Sequence, residues 1–93
     1  QMLTKFGAQI VLSNYVYGRR GVEQRAQEAV EQTGGYFLNY FDNDLNAEFH
    51  RRVTGPNIAK ATGGALDAGV AGVGSGGTIT GVGEYIKALY PDV

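Results

Sequence analysis

The chain has 93 residues, with eight basic against nine acidic side chains, 15 Gly, 2 Pro and no Cys; at about 150 residues per domain, that is one domain at most. Without cysteine there are no disulfides, thiolate metal sites or cysteine nucleophiles, and His50, the single histidine, excludes a multi-histidine zinc site. A net charge of −1 argues against a nucleic-acid partner, and no apolar run approaches the roughly 18 residues of a membrane span; no basic stretch leads into an apolar core as in a signal peptide, so the expected location is cytoplasmic.

The opening Gln1-Met2 points to a processed chain or a piece of something longer. Met2, Leu3 and Phe6 stand at helical spacing and Gly7 follows, so residues 1–6 read as the last turns of a helix with a glycine stop. Ala8–Leu12 is a short β-branched run and reads as a strand. Ser13–Gly21 reads as a loop. Over Val22–Gln32 the residues Val22, Ala26, Ala29 and Val30 share one face, the pattern of an amphipathic helix, which Thr33-Gly34-Gly35 ends. A second strand is expected at Tyr36–Asn39. After the polar stretch Phe41–Asn46, Asp44 or Asn46 is placed to cap a helix carrying Phe49 and Val53. Pro56 should interrupt that helix or begin a new turn, with Thr54 as its cap, and Gly63-Gly64 closes the segment. Leu66–Val73 is almost continuously apolar, as for a strand covered on both faces. Gly74–Gly77 is a glycine loop, and Thr78–Leu89 a last helix with Ile79, Val82, Ile86 and Leu89 on one face.

Strands alternating with helices predict an α/β fold, a three-layer parallel sheet with right-handed crossovers and a partial Rossmann-like character. Three strands make a thin sheet, and the order stops after a helix, where another strand is expected; both features fit an incomplete chain.

Chemistry concentrates in the glycine loop. Gly72-Val73-Gly74-Ser75-Gly76-Gly77-Thr78 joins an apolar run to a helix start. Free N–H groups and the positive end of the helix dipole bind anions there, glycines admit a phosphate close to the backbone, and Ser75 and Thr78 add hydroxyls. No lysine follows, so this is not a Walker A loop. Gly72, Gly74 and Gly77 match G-x-G-x-x-G, but a dinucleotide site also needs an acidic residue about 20 positions on, and Asp92 comes too early. A tight turn without a ligand is the plainer alternative.

TGPNI (Thr54–Ile58), LDAGVAGVG (Leu66–Gly74), GSGGTITGVGEYIK (Gly74–Lys87), FDNDLNAEFH (Phe41–His50) and GAQIVL (Gly7–Leu12), in that family's order, resemble the cysteine synthase and cystathionine β-synthase family of fold type II pyridoxal-phosphate enzymes. The resemblance implies pyridoxal 5′-phosphate as cofactor, its phosphate held by Gly74, Ser75, Gly76, Gly77 and Thr78. It implies two α/β domains, with residues 1–41 in a smaller mobile one, 42–45 as crossover and 46–93 in a larger cofactor-binding one, and a homodimeric parent. The family's Schiff-base lysine lies upstream and its ring-nitrogen partner downstream. Lys5, Lys60 and Lys87 match neither, so no catalytic residue is assigned and the 93 residues alone should not turn over substrate.

Several positions depart from the family pattern. Tyr40 stands where the family usually has a glutamine that contacts the substrate carboxylate, and is the candidate substrate-binding residue; simple packing is its alternative role. Asn57 replaces an acidic residue and Gly69 a large apolar one. Asp44 and Ala47 replace prolines, which should loosen the crossover. His50 matches a family histidine and reads as a packed or capping residue, and Arg19-Arg20 and Arg51-Arg52 as solvated surface pairs.

The leading expectation is therefore a central fragment of a β-replacement enzyme that joins an activated serine such as O-acetylserine to sulfide. The alternatives are a phosphate or dinucleotide-binding module and a truncated, non-catalytic homologue.

Overall fold

A computed structural model describes residues 2–93, which divide into two compact units, one ending at Leu38 and one spanning Asn39–Val93. Asn39 begins the second with a φ of +40°, a left-handed conformation that asparagine tolerates better than most residues.

The first unit opens with α1, Met2–Lys5, and Gly7 follows at a φ of +87°, as the stop signal requires. The segment expected as a loop is ordered further than its composition suggests. The Asn14 side chain accepts the Val16 N–H at 3.0 Å and starts a tight 3₁₀ turn, Tyr15–Tyr17, which feeds α2, Gly18–Thr33. Helix α2 thus begins four residues before the expected Val22. An Asx turn is a local nucleator that hydrophobic periodicity does not register, and Gly18 and Gly21 masked it. Two ion pairs near the start of α2 join Arg19 to Glu23 and Arg25 to Glu28. Arg19 is exposed, as expected of a surface charge, and is paired there. Gly34, left-handed, closes the helix where the sequence placed its end.

In the second unit the helix capped near Asp44 and the turn at Pro56 prove to be one run. It comprises α3, Leu45–Phe49, a π turn, His50–Thr54, and α4, Gly55–Thr62. Proline lacks an N–H and its ring crowds the carbonyl four residues back. The π turn just before it absorbs that mismatch, with the Gly55 N–H donating to the His50 carbonyl five residues earlier. The expected caps also differ. Asn43, not Asp44 or Asn46, bonds the first turn, through Oδ1 to the Leu45 N–H at 3.0 Å. Thr54 caps nothing; its hydroxyl lies 2.8 Å from His50 Nδ1. Gly63 ends α4 in the left-handed conformation.

The last helix, α5, spans Gly77–Leu89, one residue longer than expected. It meets the α3–α4 run along a row of positions four apart. A side chain at Gly77 would collide with the Asn46 amide, and one at Gly81 with the Ala47 carbonyl and the backbone at Arg51; Tyr85 lies over Gly55, whose missing Cβ leaves room for its ring. The absence of side chains at 55, 77 and 81 is thus what lets the two helical backbones touch. Ile86, 5% exposed, is the buried apolar side chain of this packing. Arg51 Nη1 bridges to Glu84 at 3.1 Å and Arg51 and Arg52 both pair with Glu48; both arginines stay exposed at the surface, as expected, and are paired there. Such exposed pairs contribute about 0–1 kcal/mol each.

The three expected strands form no ladder among the described residues, and each of those segments is irregular. A strand exists only through its neighbour's N–H and C=O groups. The 8–12 and 36–39 runs lie largely in one unit and the 66–73 run in the other, and their side chains are as uncovered as their backbones: Leu12 is 83% and Val70 98% exposed. The parallel sheet is therefore not present within residues 2–93. No helix among the described residues is long and apolar enough to cross a membrane.

Candidate functional site

In the Asn39–Val93 unit a cleft of about 360 Å³ opens at the start of α5. Its walls combine the glycine loop (Ser75, Gly76, Gly77), Thr80, the Tyr40–Asp44 turn and the first residues of α3, Asn46 and Ala47. Of the five loop residues singled out from the sequence, three line this cleft with Tyr40, while Gly74 and Thr78 stand beside it rather than in its wall.

The local geometry follows from the loop sequence. Gly76 has a φ of +82° and precedes the first residue of α5, a conformation glycine adopts without strain. The Gly76 carbonyl accepts the Thr80 N–H at 3.0 Å. Earlier N–H groups of the helix, those of Thr78 and Ile79, have no carbonyl one turn back within α5 and face outward with the positive end of the dipole. Nothing stands within 4 Å of where a Cβ on Gly74 would lie, so the backbone is open to a ligand there.

Ser75 is the best-defined group. Its Oγ lies 2.8 Å from Asn46 Nδ2 and 3.4 Å from the Gly77 N–H. Asn46 Nδ2 also donates to the Tyr40 carbonyl at 2.9 Å. A carbonyl only accepts, so the amide nitrogen must face it, and this fixes the orientation of the Asn46 side chain. Ser75 Oγ then accepts two hydrogen bonds, and a hydroxyl with both acceptor positions engaged keeps its own proton to donate.

Thr78 Oγ1 lies 3.3 Å from His50 Nε2, whose other ring nitrogen faces Thr54. His50 is thus half-buried between two threonines, four positions along the helical run from Asn46. Tyr40 is 62% exposed, and its ring lies 4.4 Å from that of Phe41 at a tilt of 36°. Tyr40 lines the cleft, and the packing leaves its side chain accessible.

The donor set fits a phosphate group: the Ser75 and Thr78 hydroxyls, N–H groups at a helix start, and glycines that leave the approach clear. Asp42 and Asp44 also line the cleft and oppose an anion; the Asp42 carboxylate accepts from Asn39 Nδ2 at 3.3 Å. None of the three lysines lines the cleft, and Lys87 Nζ donates to the Pro91 carbonyl at 3.2 Å. Asn46, read from the sequence only as a possible cap, joins the cleft wall and bonds Ser75. Its partner is 29 positions away, and no local pattern announces such a contact.

The family profile described as pyridoxal-phosphate dependent enzyme matches residues 1–93. The cysteine synthase of Buchnera aphidicola subsp. Schizaphis graminum is 43% identical over 89 residues, covering 94% of this chain and 28% of that protein. Cysteine synthase A of Escherichia coli K12 is 42% identical over 89 residues, with the same coverage. Among solved structures, a hydrogen sulfide-producing enzyme complexed with an alpha-aminoacrylate intermediate superposes with a TM-score of 0.91 at 30% identity, over 99% of this chain and 29% of that one. The chain thus spans under a third of the length of these relatives and superposes on the matching segment of that enzyme. With every residue inside the profile, the chain belongs to the pyridoxal-phosphate dependent enzyme family.

Proposed function

We propose that residues 1–93 supply the cofactor-phosphate loop and part of the substrate-facing wall of a β-replacement enzyme of the cysteine synthase type. The enzyme would replace the leaving group of an activated serine with sulfide, taking O-acetylserine, for example, to cysteine and acetate. The placement of Ser75 supports this most directly: a hydroxyl with its acceptor positions filled stands in the wall of a cleft at the start of α5. The sheet belongs to the same proposal. The 8–12, 36–39 and 66–73 runs would be strands of a larger parallel sheet whose other strands lie outside these residues. The break between Leu38 and Asn39 supports assigning residues up to about 41 to a smaller mobile domain, 42–45 to the crossover and 46–93 to the cofactor-binding domain. A homodimeric parent in the cytoplasm completes the reading.

Ser75 and Thr78 would hold the cofactor phosphate by hydroxyl donation, with Gly74, Gly76 and Gly77 bringing backbone N–H groups to it. The bound cofactor supplies an electron sink for carbanion chemistry at the amino-acid substrate. None of the three lysines lines the cleft and none matches the family's Schiff-base lysine, which would then lie outside residues 1–93, and the 93 residues alone would not catalyse.

The discriminating experiment compares pyridoxal 5′-phosphate with pyridoxal, which lacks the phosphate, by absorbance titration of the full-length protein. The S75A/T78V variant is expected to lose roughly 100-fold in affinity for the phosphorylated form, since hydrogen bonds to charged groups contribute about 1.5–3 kcal/mol each, and to keep its affinity for pyridoxal. An unchanged ratio of the two affinities would place the phosphate elsewhere.

Tyr40 is proposed to donate one hydrogen bond to the substrate carboxylate. Tyr40→Phe should then raise KM for the amino-acid substrate about 10- to 100-fold with little change in kcat, the scale of one bond to a charged group. Because the side chain is largely exposed, the melting temperature should not move. A drop in kcat at constant KM would remove Tyr40 from substrate binding.

A further inference from the structure

We infer that Asn46 is a positioning residue of the phosphate loop, which sets Ser75 as a hydrogen-bond donor toward the anion; this rests on the reading of the loop given above. The two carboxamide bonds differ in what they do. The bond to the Tyr40 carbonyl fixes which amide atom faces inward, because that carbonyl cannot donate. The bond to Ser75 Oγ occupies an acceptor position on the hydroxyl. With the Gly77 N–H on the other, rotation of the Ser75 hydroxyl toward either neighbour gains nothing, and its proton is directed to whatever occupies the cleft. The same amide rests against the Cα of Gly77, so it is held by contact on a side where any other residue would displace it. Asn46 thereby joins three otherwise separate parts of the cleft: the Tyr40 turn that faces the substrate, the serine of the loop, and the first residue of α5.

An aspartate at 46 has nearly the same shape but no donor. Its carboxylate would accept the Ser75 proton, turning the hydroxyl away from the anion, and would repel the Tyr40 carbonyl. Asn46→Ala removes the partner without adding charge. The test is titration of the full-length protein with pyridoxal 5′-phosphate and with pyridoxal, together with the ³¹P resonance of the bound cofactor. Asn46→Asp is expected to weaken the phosphorylated form roughly 10- to 100-fold, and Asn46→Ala about five- to tenfold, with pyridoxal affinity held within about twofold and the ³¹P resonance shifted. In a Ser75→Ala background the effect of Asn46→Ala should vanish, because the group it positions is gone.

Equal loss of both ligands from Asn46→Ala, or a full effect persisting without the Ser75 hydroxyl, would reduce Asn46 to a structural residue and overturn the inference. Failure of the underlying reading looks different: Ser75→Ala alone would then leave the ratio of the two affinities unchanged, and the inference would fall with it.

Discussion

Alanine at position 81 is expected to destabilise the full-length protein by about 3 kcal/mol, at the upper end of overpacking costs, and to abolish cofactor uptake at temperatures where the unaltered protein is saturated. The added methyl would meet the Ala47 carbonyl oxygen, the Arg51 backbone nitrogen and the His50 Cβ. Two of these are main-chain atoms and the third has no rotamer to move to. The only relief is for α5 to draw away from the α3–α4 run. That movement would loosen the Arg51–Glu84 bridge and the His50–Thr78 contact, and with them the start of α5 that forms the cleft floor. Helix propensity works the other way, since alanine is better than glycine in a helix by about 1 kcal/mol. Gly83, two residues on, isolates that term, because no atom lies within 4 Å of its added Cβ. Gly83→Ala is therefore expected to stabilise by about 0.5–1 kcal/mol. Opposite signs two positions apart on one helix are the signature of a backbone contact at 81. Urea unfolding of the two variants measures it, and a Gly81→Ala protein as stable as the parent would show that the helices do not approach as described.

The features legible in the sequence were those written in local chemistry. Gly7, Gly34 and Gly63 each mark a helix end because a left-handed φ is needed there, and glycine provides it. The last helix was legible to within one residue from the spacing of Ile79, Val82, Ile86 and Leu89. What escaped was non-local or competing. Pro56 announces a break, yet whether a run ends or absorbs the proline in a π turn depends on packing against α5, through Gly55 and Tyr85. Asn14 nucleates a 3₁₀ turn by a side-chain bond that periodicity does not see. The strand runs read correctly as apolar and β-branched, but a ladder needs neighbours, and residues 2–93 do not provide them. At the cleft, the glycine loop stood out because its glycines and hydroxyls are adjacent in the sequence. Tyr40 was visible only by likeness to relatives. Asn46 was visible as a polar residue near a helix start, but not as the partner of a serine 29 positions away.

The contact between Gly77 and Asn46 leads to the second large effect, an expected reversal of sign between two substitutions. Gly77→Ala places a methyl inside the Asn46 carboxamide. Unlike the contact at 81, the obstacle is a side chain, which can swing out at the loss of its bonds to Ser75 and Tyr40. The stability loss should therefore be smaller than at 81, about 1–2 kcal/mol. The loss of pyridoxal 5′-phosphate affinity should be large, roughly 30- to 100-fold, because the displaced amide releases Ser75 and the new methyl crowds the N–H groups of the loop. Asn46→Ala by itself also destabilises, by removing those two bonds. Combined, the two alanines relieve one another's clash: Asn46→Ala/Gly77→Ala should melt higher than Gly77→Ala alone, although it carries one more truncation, while phosphate affinity stays low. Independent sites would add, and an additive melting temperature would mean that the amide and the helix start do not touch. Recovery of stability without recovery of affinity would separate the two roles of Asn46, as a body packed against glycine and as the donor that aims a serine, within one pair of residues.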